Sequence, residues 1–204
     1  KISVNRYEAL KAMGDRSFTT LYYLGVSQYA DNWPYGARDN LLEAHKKNPM
    51  DVNVLYYLAK ACARSSWKEE GIAYMNKAFD MVVPTDSMMI RLYDGLLECY
   101  KFHTKADPYE KIEVMKEAYS YTKKYTLFYQ IAEIYDYQKD YVNAVHYYEK
   151  YMALVPKNKQ AALDSEGNPL PNADTMYQKA RRRVEKIKVE DFFRNGAHDD
   201  YFEW

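Results

Sequence analysis

Apolar residues recur at helical spacing along most of the chain, and the polar positions between them supply stops and caps. Residues 2–13 carry an amphipathic helical pattern in Ile2, Tyr7, Leu10 and Ala12. A second signal is Pro34, tolerated in the first turn of a helix, with Asp31 or Asn32 placed to cap it. Pro49 and Asp51 then separate one helix pair from the next. Thr85, Asp86 and Ser87 offer capping oxygens, Asp107 precedes Pro108, and residues 87–103 and 108–123 read as a further pair of helices. Asp140 opens another helix at Tyr141. The run Asp164-Ser165-Glu166-Gly167-Asn168-Pro169 makes 157–173 a loop, after which Asp174 caps a last helix to about Phe193. No segment reads as a strand, so the expectation is an all-α chain.

The helices repeat. Displaced by 34 residues, Leu21-Tyr22-Tyr23-Leu24 falls on Leu55-Tyr56-Tyr57-Leu58, Gly25 on Ala59, Trp33 on Trp67 and Ala44 on Ala78. The first copy runs Leu21, Leu24-Gly25, Ala37, Leu41, Ala44, Pro49. The second runs Leu55, Leu58-Ala59, Gly71, Met75, Ala78, with Pro84 one residue late. A later copy runs Phe128, Ile131-Ala132, Tyr135, Ala144, Tyr148, Pro156. Period and residue types resemble the tetratricopeptide repeat over roughly residues 17–157. The small residues belong where helix backbones approach closely, and the large ones fill the space between. The third copy departs from the pattern. Gly95 and Ala118 need extra residues in the Phe102–Asp107 turn, Lys111 stands near a small position, and no closing Pro precedes Tyr125.

The resemblance implies a right-handed superhelical array of antiparallel helix pairs, with about four repeats plus terminal helices, in a single domain over 1–204. An N-terminal helix occupies 1–16; repeats occupy 17–50, 51–85, 86–124 and 125–157; a loop fills 158–173; a capping helix spans 174–193, and 194–204 form a tail. Each pair leaves an apolar face that only a neighbour can cover, so terminal helices are expected to close the ends.

Composition narrows the function. Hydrophobic residues make up 48%, and 29 Lys+Arg balance 29 Asp+Glu, a globular composition without the basic excess of a nucleic-acid footprint. No run approaches the ~18 apolar residues of a membrane span. The chain begins at Lys1 without Met, as an excised domain or a processed form would, and the compartment stays open. Cys62 and Cys99 match no zinc or redox spacing and read as buried thiols. His45, His103, His146 and His198 form no metal or catalytic pair, and no phosphate-binding or nucleophile motif occurs. No enzyme activity, catalytic residue, metal or cofactor is therefore expected. Lys179, Arg181, Arg182, Arg183, Lys186 and Lys188 make the last helix basic, offset by Glu190, Asp191, Asp199, Asp200 and Glu203, and few aromatics interleave with them for base stacking.

In the tetratricopeptide family the first helices of successive repeats line a concave groove that receives a peptide or a partner helix. The resemblance places groove positions at Thr19, Tyr22, Val26 and Tyr29 in the first repeat, and at Asn53, Tyr56, Lys60 and Ala63 in the second. In the last they fall at Thr126, Tyr129, Glu133 and Asp136. Chaperone-tail-binding members grip a terminal carboxylate with Lys, Asn and Arg. Tyr22, Val26 and Tyr57 stand at those places here, so a different ligand class is expected. The implied function is a protein-interaction scaffold with a peptide or protein partner. The alternatives are a small-molecule or glycan-binding helical module, since aromatic-lined grooves stack sugars, or a structural or regulatory domain of a larger protein.

Overall fold

The structure, a computed structural model, describes residues 2–160 and 175–195. These residues form helices, with no strand among them. In order they are α1 (Ile2–Ala12), α2 (Phe18–Ala30), α3 (Pro34–Lys47), α4 (Val52–Ala63), α5 (Lys68–Asp80), α6 (Asp86–Phe102), α7 (Pro108–Thr122), α8 (Thr126–Tyr137), α9 (Tyr141–Leu154), α10 (Lys157–Gln160) and α11 (Thr175–Asn195). Short connections make α2/α3, α4/α5 and α8/α9 antiparallel pairs, each closely packed. The chain is an all-α, tetratricopeptide-like solenoid. Its contacts divide it into two compact units, Lys1–Asp107 and Pro108–Trp204. The helix pair expected over 86–124 is thus divided, α6 belonging to the first unit and α7 to the second.

Local chemistry sets the helix ends. Asp51 caps α4, its carboxylate accepting from the amides of Asn53 (2.8 Å) and Val54 (3.1 Å). Thr85 caps α6 through Met88 N–H, and Asp140 caps α9 through Asn143 N–H. The cap expected for α3 is different. Asp31 and Asn32 finish α2 instead: Asn32 turns left-handed (φ 61°), and the Asn32 and Trp33 amides donate back to Tyr29 O and Gln28 O. Trp33 is left as an N-cap without a side-chain bond, and Pro34 removes one amide that would need an acceptor. Lys139 (φ 63°) ends α8 in the same way, with the Asp140 amide on Tyr135 O.

In the first unit the interior is built from the repeat's small and large residues. Leu21, Ala44 and Val54 pack together, as do Tyr29, Ala37, Leu41, Leu58, Ala61 and Cys62. The helices approach so closely that a methyl group on Gly25 would stand 2.5 Å from Leu41 Cγ. α6 packs on both α4 and α5. Gly95 there faces the preceding repeat: a methyl group at Gly95 would stand 2.5 Å from Met75 Cε and 2.7 Å from the Tyr56 ring. Gly95 therefore takes the role of Leu58 and not that of Gly25 and Ala59, which settles the register left open in the sequence. α1 lies on α2, but through Val4, with Tyr7 half-buried, while Leu10 and Ala12 of the expected apolar stripe face outward.

The second unit has its own core, in which Phe128, Ile131 and Ala132 of α8 meet Ala144, Tyr148 and Tyr151 of α9. Ala180, Val184 and Ile187 of α11, at helical spacing, join it. The segment read as a loop from residue 157 begins with the single turn α10. The rest of that loop, the Asp174 cap and the tail beyond residue 195 lie outside the described residues.

Candidate functional site

The first helices α2, α4 and α6 pack side by side and bring most of the expected groove positions of the first two repeats together. Their centre is a carboxylate the sequence did not single out. Glu98 on α6 accepts from the Tyr29 hydroxyl (2.5 Å), and it pairs with the Lys60 ammonium (2.9 Å) and the Arg64 guanidinium (2.6 Å). Tyr29 lies on α2, and Lys60 and the C-cap residue Arg64 belong to α4, so one carboxylate ties three helices. The cations also lie over rings. Arg64 sits 4.4 Å above Tyr29, Lys60 lies 4.9 Å from the Tyr56 centroid, and Arg91 lies 4.4 Å from the same ring. Arg91 also donates to Asn53 Oδ1 at 2.8 Å.

Burial alone would push Glu98 up. The Tyr29 and Lys60 hydrogen bonds and the two cations outweigh it and hold the carboxyl below its ordinary range. Burial likewise works against the Lys60 ammonium, but its bonds to Glu98 and Tyr56 keep it charged. The Tyr29 hydroxyl is driven well above its usual range by burial and by its bond to Glu98. The cluster is a fixed ion network, with every charge of the Glu98–Lys60–Arg64 triad engaged inside the fold.

Beside it runs a row of rings. Tyr7 of α1 stacks on Tyr23 (5.7 Å between centroids), Tyr23 meets Tyr22 edge-on (5.1 Å), Phe18 stacks on Tyr22, and Tyr22 meets Tyr57 (6.4 Å). Tyr57 in turn contacts Tyr29 and Tyr56. Tyr29 and Tyr56 are buried, while Tyr22, Val26 and Tyr57 are half-buried and Tyr23 and Asn53 are exposed. Of the expected residues, then, Tyr29, Tyr56 and Lys60 belong to the internal network, and Tyr22, Val26 and Asn53 remain at the surface.

In the second unit the last repeat's candidates have separate fates. Tyr129 is buried edge-on against Tyr148 and Tyr151. Asp136 is held by Arg183 of α11 through two bonds of 2.6 Å. Glu133 is exposed, and partial desolvation raises its carboxyl. The basic helix α11 thus directs Arg183 to Asp136 and Lys188 to Glu149, while Arg181 and Lys186 pair with Glu185 and Glu190 one turn on.

Residues missed in the sequence had different visibility. Arg64 was in plain view, since it follows Lys60 by one turn, whereas Tyr57 had already been placed where the family's clamp groups stand. Arg91 and Glu98 could not be placed, because aligning Gly95 with Gly25 and Ala59 turns them away from α4. Cys62 and Cys99 are buried free thiols, pushed up by burial to about 11 and about 12. Among the described residues no three His, Cys, Asp or Glu side chains gather as a metal site would require, and no helix is long and apolar enough to cross a membrane.

No family model matches the sequence, and no curated protein matches it either. Solved structures do. MamA is 16% identical over 89% of this chain and 96% of its own, with a TM-score of 0.54. The C-terminal part of a TPR repeat-containing protein from Cytophaga hutchinsonii is 16% identical over 92% of this chain and 73% of its own, at 0.59. YrrB, a TPR protein, is 11% identical over 95% of this chain and 94% of its own, at 0.52. With the repeat period, the small-residue contacts and the paired helices already in place, these likenesses make the chain a tetratricopeptide-repeat protein in fold.

Proposed function

We propose that this protein is a non-catalytic interaction scaffold that binds an extended peptide or protein segment on the face of α2, α4 and α6. One observation carries the reading. Tyr22 and Tyr57 are half-buried and Asn53 is exposed on helices that Glu98 ties together, so a ligand meets anchors whose ordering cost is already met by folding. Rigid tyrosines of this kind are favoured binding residues because they offer large amphipathic surface with few rotatable bonds. The structurally similar YrrB is described as having an unusual peptide-binding site, which agrees with this use of the fold.

The test is to select ligands from a random peptide library with the wild-type chain and measure them against the Tyr22→Ala/Asn53→Ala double variant. Asn53 is exposed and Tyr22 half-buried against the core, so affinity is compared with a variant shown to be folded by circular dichroism, which should bind at least tenfold more weakly, the scale of one truncated anchor. Undiminished binding of every selected peptide by a folded double variant would remove the face from the account.

A further inference from the structure

Two kinds of group lie on the first unit's face, and they differ in what they have left to offer. The cations are engaged: Lys60 and Arg64 close on Glu98, and Arg91 covers Tyr56 and bonds Asn53. Asp94, one turn from Arg91, has a partner as well. The half-buried and exposed tyrosines are not engaged in this way. Among the described residues the hydroxyls of Tyr22, Tyr23 and Tyr57 make no hydrogen bond, although their rings are locked in the row. Asn53 uses its carbonyl oxygen for Arg91 and keeps its amide hydrogens for another acceptor. The face therefore offers ring surfaces with unengaged hydroxyl and amide groups, while Lys60, Arg64 and Arg91 are already engaged.

We infer that the ligand is a proline-rich segment in the polyproline II conformation, lying along the Tyr7–Tyr23–Tyr22–Tyr57 row. This rests on the proposed peptide-binding role of the same face and narrows its partner. A polyproline II strand has no internal hydrogen bonds, so its carbonyls are free to accept. Proline has no N–H, so such a strand asks for no acceptor in return, and the tyrosine hydroxyls can all turn their hydrogens to it. Its pyrrolidine rings present flat apolar surface to aromatic rings, the basis of recognition in aromatic-lined grooves. Every third residue returns to one edge after about 9 Å, a span that the two steps Tyr23–Tyr22 and Tyr22–Tyr57 (5.1 and 6.4 Å) can cover. The segment is already extended when free, so it loses little conformational entropy on binding.

The experiment is fluorescence anisotropy of the full chain with a labelled nine-residue oligoproline. A glutamate-rich extended peptide and an amphipathic helical peptide of equal length serve as comparators. Saturable binding of oligoproline in preference to both is expected. Tyr57→Phe, which removes one hydroxyl and keeps the ring, should weaken it roughly two- to tenfold. Tyr23→Ala removes a ring that is 47% exposed, and should weaken binding about tenfold or more at a temperature where circular dichroism shows the variant folded. If a comparator binds and depends on Tyr22 and Asn53 while oligoproline does not bind, the proline assignment is overturned and the scaffold reading stands. Oligoproline binding that neither variant changes also overturns the assignment, because the ligand then lies elsewhere. If none of these peptides binds and the random library yields no ligand either, both readings fall.

Discussion

At the scale of residues, one carboxylate organises the first unit. Glu98 has the Tyr29 hydroxyl, Lys60 and Arg64 within 2.9 Å, and the side chain is only 17% exposed, so it is charged at neutral pH by virtue of its partners. A carboxyl held below its ordinary value of 4.5 in the folded state stabilises the fold at all pH values above that point. The contribution is lost as pH falls through the lower folded value. Glu98→Gln should therefore melt below the wild type at pH 7, with a gap that holds at pH values above 4.5 and narrows as the pH falls below it. Melting curves at stepped pH check this, and a gap that never narrows on acidification would mean the charge is not what Glu98 contributes. Tyr29, Tyr56 and Lys60 were legible as one face from their repeat positions. Their role was not, because Glu98 lies 69 residues from Tyr29 and 38 from Lys60, on a helix whose register the repeat leaves ambiguous.

At the scale of elements, helix pairs stand or fall by small residues at backbone contacts. Gly71 of α5 is the sharpest instance: a methyl group there would stand 2.8 Å from Ala59 O and 3.1 Å from Ala63 N, both main-chain atoms of α4. Replacing an interior helical glycine by alanine normally gains about 1 kcal/mol of helix propensity. Overpacking against atoms that cannot move aside costs about 1–3 kcal/mol. The balance predicts that Gly71→Ala lowers stability in urea unfolding, and a higher midpoint would show that α4 and α5 are less tightly set. Such contacts were readable beforehand at Gly25, Ala37, Ala44, Gly71 and Ala78, since a regular period fixes which positions meet. The period fails at α6, where the helix is longer and Gly95 meets the previous repeat. It also fails for helix caps decided by backbone geometry. Asn32 goes left-handed to finish α2, and α3 starts after Trp33 without a side-chain cap. The apolar stripe of α1 misled for another reason, since polar contacts hold this helix beside Val4 and Tyr7: Lys11 donates to Asn40 of α3, and Gln28 of α2 donates to Glu8.

At the scale of the whole molecule, the chain comprises two compact units meeting in sequence at Asp107–Pro108, and the proposed binding face belongs to the first. Repeat architecture leaves function to the surface groups, since the same helix pairs serve unrelated ligands. The surface here combines a closed ion network with an open row of tyrosines, and the proposal assigns rigidity to the first and contact to the second. A photo-crosslinking side chain at Asn53, exposed on α4, reports contact with that face directly, and one at Asn76, exposed on α5, serves as the control. With a library-selected peptide bound, crosslinks should form from position 53 and be absent from position 76. Crosslinks from position 76, or none from position 53 while the peptide stays bound, would contradict binding on the face of α2, α4 and α6.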